Sequence, residues 1–575
     1  MSLAAGHLSI SDEDAARSAA KLVLLLDFDN CLVVDDGVIA QMTASIHSYC
    51  EEKYGLSSAE CDRLYRSHGT TIKGLSLSFN ASHLQGGDSG GNTFGDAEFR
   101  SYYKEIYSRV PAPAREHQSN GDVARRERLA ALLSSLKCTK IVASNSPSEW
   151  YIERMLVAYG LDGVGWADVI TPDKVEGWHS KASDAYWELI HARWPSSAGY
   201  RVVLLDDSRI NVSAAARAGI EAHLVTREWP IERAIRDCMR EQRLAVTFTA
   251  PKQVAVQRRM RETRLPHGTV DIECVASLIS SGTELKFYRG DFDDDGPVDE
   301  TISAIGESSA KYPLDYGYSL CGRVARIGEG VPPNMLGKLC FAFHPHASHA
   351  VVAAEDVKIV PEDVEARDAT YLPSVETAIS IVHDVHPRFG ESVAIFGQGL
   401  IGLLVTKVLS SMGIDVVAVD LIPERRAKAL VMGAREAVSP QDIAAAAPDG
   451  GFDACVEVTG NPKALQACID GTRRGGKVVV ASWYSASKPI SLTLGTAFHR
   501  SHVTIIASQV SSLCGSVTAT WDKQRRFDAA WKFLAKVQPS KLLTTRAFSV
   551  AEAASAYERL DAYEQVACEL EYSND

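Results

Sequence analysis

The sequence contains no CxxC pair and no excess of positive charge. It also has no apolar run near the ~20 residues needed to cross a bilayer. Each absence excludes something. Twelve cysteines are scattered through 575 residues, mostly within apolar runs such as those around Cys274, Cys321 and Cys455. That pattern fits buried thiols in a reducing compartment, not a disulfide framework or a zinc knot. The net charge is −13, with acidic and basic residues interspersed. A nucleic-acid polymer needs a basic face, so none is expected as a partner. Residues 1–20 are polar and acidic and lack the charged-then-apolar order of a secretory signal. They read as a flexible N-terminus, and the expected location is cytoplasmic, with no membrane association. No internal repeat is present. What remains is an ordinary globular composition, 46% hydrophobic and 23% charged, with length for about three folding units.

Two stretches alternate apolar runs with helical patterns. From Lys21 to about Arg243, the runs LVLLLDF, IVASNS, RVVLLDDS and AHLVT read as buried strands. Helical segments such as EWYIERMLVAYG and NVSAAARAG separate them, which predicts a parallel sheet covered on both faces. An insertion at about 34–128 follows the first strand. It begins helically and contains NASHLQGGDSGGNTFG, whose glycines, serines and asparagines predict a loop. Residues 244–266 read as a linker. β-rich sequence follows (VDIECVASLISS, SLCGRVARIGEG, HAVVAAEDVKIV) and predicts a small barrel. From about Glu391 the strand-helix alternation returns.

In the first stretch, LLLDFDN sets Asp27 and Asp29 just past a strand, at the sheet edge where open α/β folds bind ligands. Residues two apart on an extended segment face the same way, so both carboxylates can serve one site. Asp206 and Asp207 end the strand VVLLDD. Four carboxylates at one edge repel unless a hard cation lies among them, and Mg²⁺ prefers oxygen ligands. The order DFDN, then Ser144-Asn145, then Lys181, then DDSRIN resembles the four motifs of the haloacid dehalogenase superfamily, and YGLSSAECDRLYRSHGTTIKGL resembles the helical cap of its pyrimidine 5'-nucleotidase branch. The resemblance implies a Rossmann-like phosphatase domain over 21–243 with a cap at about 34–128. It implies Asp27 as the nucleophile that forms an aspartyl-phosphate and Asp29 as general acid/base. Ser144, Asn145 and Lys181 would line the phosphoryl site. Asp27, Asp29, Asp206 and Asp207 would surround Mg²⁺. One departure is Ala182 after Lys181, where many relatives have proline.

In the second stretch, SVAIFGQGLIG carries Gly397, Gly399 and Gly402 after an apolar strand and at the start of a helix. That is the context in which G-x-G-x-x-G lets backbone approach a pyrophosphate. With Leu400 and Ile401 these glycines form the expected cofactor cradle. Asp420 ends the next strand, where an acid accepts from the adenosine ribose and repels a 2'-phosphate. NAD(H) is therefore expected over NADP(H), although Arg425 and Arg426 follow closely. The region 267–575 resembles the medium-chain dehydrogenase/reductase superfamily. The resemblance implies a β-rich GroES-like part at 267–385 plus the C-terminal end, and a doubly wound dinucleotide-binding part at 386–520. SSGTELKFYRG places Ser281 where zinc enzymes of the family have cysteine. YPLDYGYSLCGRV places Tyr318 and Ser319 at the histidine and glutamate positions. The expectation is accordingly no zinc. The nearest likeness is to the zinc-independent branch grouped with 2-desacetyl-2-hydroxyethyl bacteriochlorophyllide a dehydrogenase. Tyr318 is the favoured proton donor, with Glu376, His344 and His346 as alternatives. Thr459 would lie near the nicotinamide-side ribose. Phosphate esters and alcohols or carbonyls are the expected substrates, and the dehydrogenase region could form a homodimer. The competing reading makes that region a cofactor-sensing or oligomerisation module.

Overall fold

The computed structural model describes all residues except 1–20, 85–93, 114–119, 228, 240–241, 263, 293–310, 485–489, 516, 545 and 573–575. The flexible N-terminus and most of the glycine-rich loop fall outside the described residues. The chain forms two compact units. One comprises residues 1–241, 262–271 and 324–337, the other residues 242–261, 272–323 and 338–575.

In the first unit, β1 (Leu22–Leu26), β2 (Thr139–Ala143), β3 (Asp168–Ile170), β4 (Arg201–Asp206) and β5 (Glu221–Leu224) form a sheet of order β3-β2-β1-β4-β5. Every pairing is parallel. All five β1 residues are buried, as a central parallel strand covered on both faces requires. Strand β3 was not among those expected, since three residues are too short to show a pattern. The insertion after β1 is helical: α1 (Asp36–Tyr54), α2 (Ser58–His68), α3 (Thr71–Leu84) and α4 (Asp96–Tyr107), with α5 (Asn120–Ser135) leading back to β2. Helix α2 starts at a capping box, Ser57 and Glu60 satisfying each other's backbone N–H groups. Residues 80–84, expected in the loop, extend α3 instead. Helix α6 (Arg209–Arg217) follows β4 directly.

The second unit opens where a linker was expected. Residues 242–260 form a hairpin, β6 (Gln242–Ala250) with β7 (Gln253–Met260), and β6 also pairs with β9 (Leu314–Asp315). The turn carries Lys252 in the left-handed region at φ 60°. Its basic run Arg258-Arg259-Met260-Arg261 concealed the strand alternation. The barrel sheet runs in the order β13 (Lys358–Ile359), β11 (Leu339–Ala342), β10 (Leu320–Ile327), β8 (Thr269–Ile279), β21 (Cys568–Glu571) and β20 (Ala547–Ser549). Strand β12 (His349–Ala353) also pairs with β8. The last sheet has the order β16-β15-β14-β17-β18-β19, built from β14 (Ser392–Phe396), β15 (Asp415–Val419), β16 (Glu436–Val438), β17 (Phe452–Glu457), β18 (Thr472–Val480) and β19 (Thr504–Ala507). All pairs are parallel. This 3-2-1-4-5-6 order is the doubly wound Rossmann topology, with its crevice between β14 and β17. Helices α7 (Leu372–Val385) and α8 (Leu400–Ser411) pack on it through apolar faces.

All twelve cysteines are free thiols. Ten are buried, while Cys138 in the first unit and Cys514 in the second are half-buried. Among the described residues, no helix is long and apolar enough to cross a membrane.

Candidate functional site

The carboxyl ends of β1, β2 and β4 converge in the first unit. Asp27 follows β1 directly, and its backbone N–H donates to the carbonyl of Leu205 in β4 at 2.9 Å. Lys181, fully buried, reaches in from beyond β3. Its ammonium lies between the Asp27 and Asp206 carboxylates, 2.5 Å from Asp206 Oδ2, and it also donates to the Ala143 carbonyl at 2.8 Å. Burial opposes that charge, yet attraction to Asp206 and Asp27 outweighs it and holds the lysine well above its ordinary value. Its backbone N–H donates to Asn145 Oδ1 at 3.0 Å, so the motif after β2 fixes the lysine loop. Asp206 accepts from Ser208 N–H at 2.8 Å and from Asn211 Nδ2 at 3.0 and 3.2 Å. Asp207 accepts from Asn30 Nδ2 at 3.0 Å. Ser144 is buried, and its hydroxyl accepts from Ser146 N–H at 3.0 Å.

Of the four carboxylates expected around a cation, Asp27 and Asp207 come close together. Oxygens of Asp27 and Asp207 and the Cys31 sulfur lie within 4.8 Å of one another. Asp29 is not one of that group: it accepts from Ser146 Oγ at 2.7 Å and Tyr151 Oη at 2.8 Å. Just past Asp29 the chain turns, with Asn30 left-handed at φ 60°. Burial pushes the Cys31 thiol well up, so it remains a protonated neighbour and a poor ligand for a hard cation. The two carboxylates fit such a cation. Burial raises Asp27, Lys181 pulls it back, and Asp206 and Asp207 raise it again. Burial and then Asp206 push the Asp207 carboxyl up to about 6. A divalent ion between Asp27 and Asp207 would relieve that repulsion. Burial, only partly offset by the Ser146 and Tyr151 hydrogen bonds, raises Asp29. Asn30 and Asn211 stood inside motifs the sequence displayed. Tyr151 and Ser146 carried no sequence signal for partnership with Asp29.

In the second unit, the turn from β14 into α8 is built on glycine. Gly397 has φ +100°, a conformation other residues rarely adopt. A Cβ on Gly402 would lie 1.9 Å from the Gly397 carbonyl oxygen. A Cβ on Gly399 would meet nothing within 4 Å, so that residue borders open space. Leu400 and Ile401 begin the helix directly behind it. Asp420 ends β15 and is anchored by two backbone donors, Gln398 N–H at 2.7 Å and Ile422 N–H at 2.8 Å. Across the crevice, Thr459 N–H and Oγ1 donate to the buried Glu457 at 2.6 and 2.5 Å. Tight turn, open glycine and fixed acid together suit a dinucleotide.

The expected proton donors divide. Tyr318 is half-buried, its ring 6.2 Å from that of Tyr316. Glu376 is bound by the buried Arg526, at 3.0 Å from Nε and 2.8 Å from Nη2. His346 is sealed in a network with Ser277 and Glu284, which Tyr557 joins through a 2.6 Å bond to Glu284. Burial lowers His344 to about 4, and its Nδ1 donates to the Pro345 carbonyl. The last three are all engaged in hydrogen bonds or ion pairs.

Residues 401–536 match the family model described as zinc-binding dehydrogenase. The (R,R)-butanediol dehydrogenase of Bacillus subtilis (strain 168) is 28% identical over 219 residues, which cover 32% of this chain and 62% of that relative. The sorbitol dehydrogenase of the same organism is 25% identical over 283 residues, 41% of this chain and 76% of the relative. A solved 2R,3R-butanediol dehydrogenase from Bacillus subtilis aligns with a TM-score of 0.48 and 21% identity over 58% of this chain and 100% of that one. The C-terminal part of the chain is thus a zinc-type medium-chain dehydrogenase/reductase segment, homologous to alcohol dehydrogenases. This overturns the expectation of no zinc. That expectation rested on Ser281, Tyr318 and Ser319, all outside the matched segment and aligned by likeness alone, whereas the segment that does match is that of zinc-binding enzymes. Zinc is therefore a metal to be measured in the purified protein.

Proposed function

We propose that the chain is a bifunctional enzyme: a Mg²⁺-dependent phosphomonoester hydrolase in the first unit and an NAD(H)-dependent alcohol/carbonyl oxidoreductase in the second. The observation that carries the first half is the buried Lys181 ammonium wedged between Asp27 and Asp206 at the carboxyl edge of a parallel sheet. An anionic nucleophile attacks an anionic phosphate only where fixed positive charge lowers the repulsion. Bound Mg²⁺, held by Asp27 and Asp207, would supply further charge neutralisation. Asp27 Oδ forms a bond to phosphorus as the ester P–O bond breaks. Asp29, positioned by the hydroxyls of Ser146 and Tyr151, is the group assigned to deliver a proton to the departing alkoxide. Asp29 then takes a proton from water as the water oxygen bonds to phosphorus and Asp27 is released.

For the second half, the support is the glycine turn with Asp420 fixed beside it, together with relatives named for diol and polyol oxidation. NAD⁺, which the Gly397–Gly402 turn and Asp420 would hold, would supply the hydride-accepting chemistry. Tyr318 is the residue proposed to hold the hydroxyl proton. Thr459, just past β17, is assigned to the nicotinamide-side ribose. Phosphomonoester hydrolysis yields an alcohol, and alcohols are what such an oxidoreductase consumes, so the two halves are chemically compatible in series.

With Mg²⁺ present, the full-length protein should release phosphate from p-nitrophenyl phosphate, and Asp27→Asn should lower kcat by at least a thousandfold while circular dichroism shows the fold retained, with a lower melting temperature because Lys181 loses a partner. Hydrolysis by that variant at the parental rate would refute the phosphatase reading.

A further inference from the structure

A cavity of about 840 Å³ opens beside Asp207 in the first unit. It is bordered by the two segments that join the helical insertion to the sheet, within residues 34–41 and 111–126, and by the loop after β5, within residues 225–231. Asn30 and Asp207 line it, and the same two residues are bonded to each other at the carboxylate cluster. The cavity therefore continues from the site of the chemistry. Its volume falls in the range of small-molecule pockets and far exceeds what a phosphoryl group needs.

Its lining distinguishes between leaving groups. Among the described residues that line it, none is aromatic, whereas proteins that hold a nucleobase generally stack it on aromatic rings. Three guanidinium groups line it, and each already has partners. Arg227 makes bonds of 2.9 and 3.1 Å to the two oxygens of Asp36. Arg125 Nε is 2.9 Å from Glu232 Oε1. Arg126 donates to the Asp122 carbonyl at 3.1 Å and lies 4.7 Å over the Tyr159 ring. Asp35, Asp36 and Asp122 add carboxylates to the same wall. No surplus of positive charge calls for a second phosphate. The wall thus holds three guanidinium groups together with the carboxyl groups of Asp35, Asp36 and Asp122. A hydroxyl group donates and accepts at once, so it is the ligand group that bonds to both.

We infer that this cavity holds the alcohol half of the phosphomonoester, and that this half is an uncharged aliphatic polyol. The inference rests on the phosphatase reading and narrows it: the substrate is a polyol or sugar phosphate, not a nucleotide. Hydrolysis then gives the polyol and inorganic phosphate, with one water consumed.

The test uses full-length protein with Mg²⁺ and compares phosphate release from sorbitol 6-phosphate, cytidine 5'-monophosphate and p-nitrophenyl phosphate. The expected kcat/KM for sorbitol 6-phosphate exceeds that for the nucleotide at least tenfold. Arg125→Ala and Arg227→Ala should each raise KM for sorbitol 6-phosphate several-fold more than KM for p-nitrophenyl phosphate, with kcat much less affected. Melting temperatures of both variants separate that effect from misfolding, and the substrate comparison on the parent protein stands even if neither variant folds. Turnover of p-nitrophenyl phosphate with the nucleotide preferred over the polyol ester overturns this inference and leaves the phosphatase reading intact. No turnover of any of the three overturns both.

Discussion

A buried ammonium between two carboxylates is expensive to desolvate and survives only when every charge is compensated. Around Lys181 that compensation comes from Asp27, Asp206 and the Ala143 carbonyl. A second buried cluster in the same unit permits a sharper test. Glu221 accepts from Arg201 at 2.9 and 3.0 Å and from His223 at 2.9 Å, with Arg326 at 3.7 Å. Burial alone would raise its carboxyl, but these partners outweigh burial and bring it down to about 2, against an ordinary 4.5. A depressed folded-state value means stability fully present above the unfolded value and lost as pH falls through the folded one. Glu221→Gln should therefore cost on the order of 3 kcal/mol at pH 7, and the gap to the parent should close between pH 4.5 and 2. Chemical denaturation across that range checks it; a gap independent of pH refutes it. Asp420 carries another prediction. Its carboxylate is fixed by two backbone donors, while Arg426 is held at the Asp420 and Leu421 carbonyls and Arg425 lies 5.5 Å from the Tyr563 ring. A 2'-phosphate beside it would face like charge, at a cost of a few kcal/mol. NADH should bind at least tenfold more tightly than NADPH, and Asp420→Ser should shrink that ratio. Fluorescence titration with both nucleotides decides.

At the scale of elements, the turn between β14 and α8 is the most demanding piece of backbone. Gly402 brings the helix against the Gly397 carbonyl, and a methyl group at 1.9 Å must push the two apart. Gly402→Ala should weaken NADH binding more than tenfold and lower the melting temperature, whereas Gly399→Ala, which meets nothing within 4 Å, should fold normally. Equal destabilisation by both would show that the turn is not the constraint. This element was legible because a glycine pattern, an apolar strand and a helix coincide over a few residues. The hairpin 242–260 was not, because its outward positions carry Arg258 and Arg259 and read as a solvated connector. The partners of Asp29 were equally hidden. Tyr151 is a residue more than a hundred positions away that only the folded sheet edge brings near.

At the scale of the whole molecule, the parallel character of both sheets was legible in the alternation of apolar runs with helical patterns, whereas their strand order, the short strand β3 and the hairpin 242–260 were not. The metal chemistry of the second unit was not, since ligand positions inferred by likeness carry less weight than a matched segment. If each unit carries its own activity, the variants should be separable. Asp27→Asn should leave NADH affinity unchanged, and Asp420→Ser should leave hydrolysis of p-nitrophenyl phosphate unchanged. Measuring both properties on both variants checks this; loss of nucleotide binding in Asp27→Asn would show that the units do not act independently.

The distribution of thiols has a practical consequence. Ten of the twelve cysteines are buried, and the two half-buried ones, Cys138 and Cys514, fall one in each unit. The unaltered chain thus carries a natural pair of attachment points for reporter dyes. Brief maleimide treatment under native conditions, with the deeper thiols shielded, would place one fluorophore on each half. Energy transfer between them would then follow, turnover by turnover, whether substrate or nucleotide changes the distance between the halves.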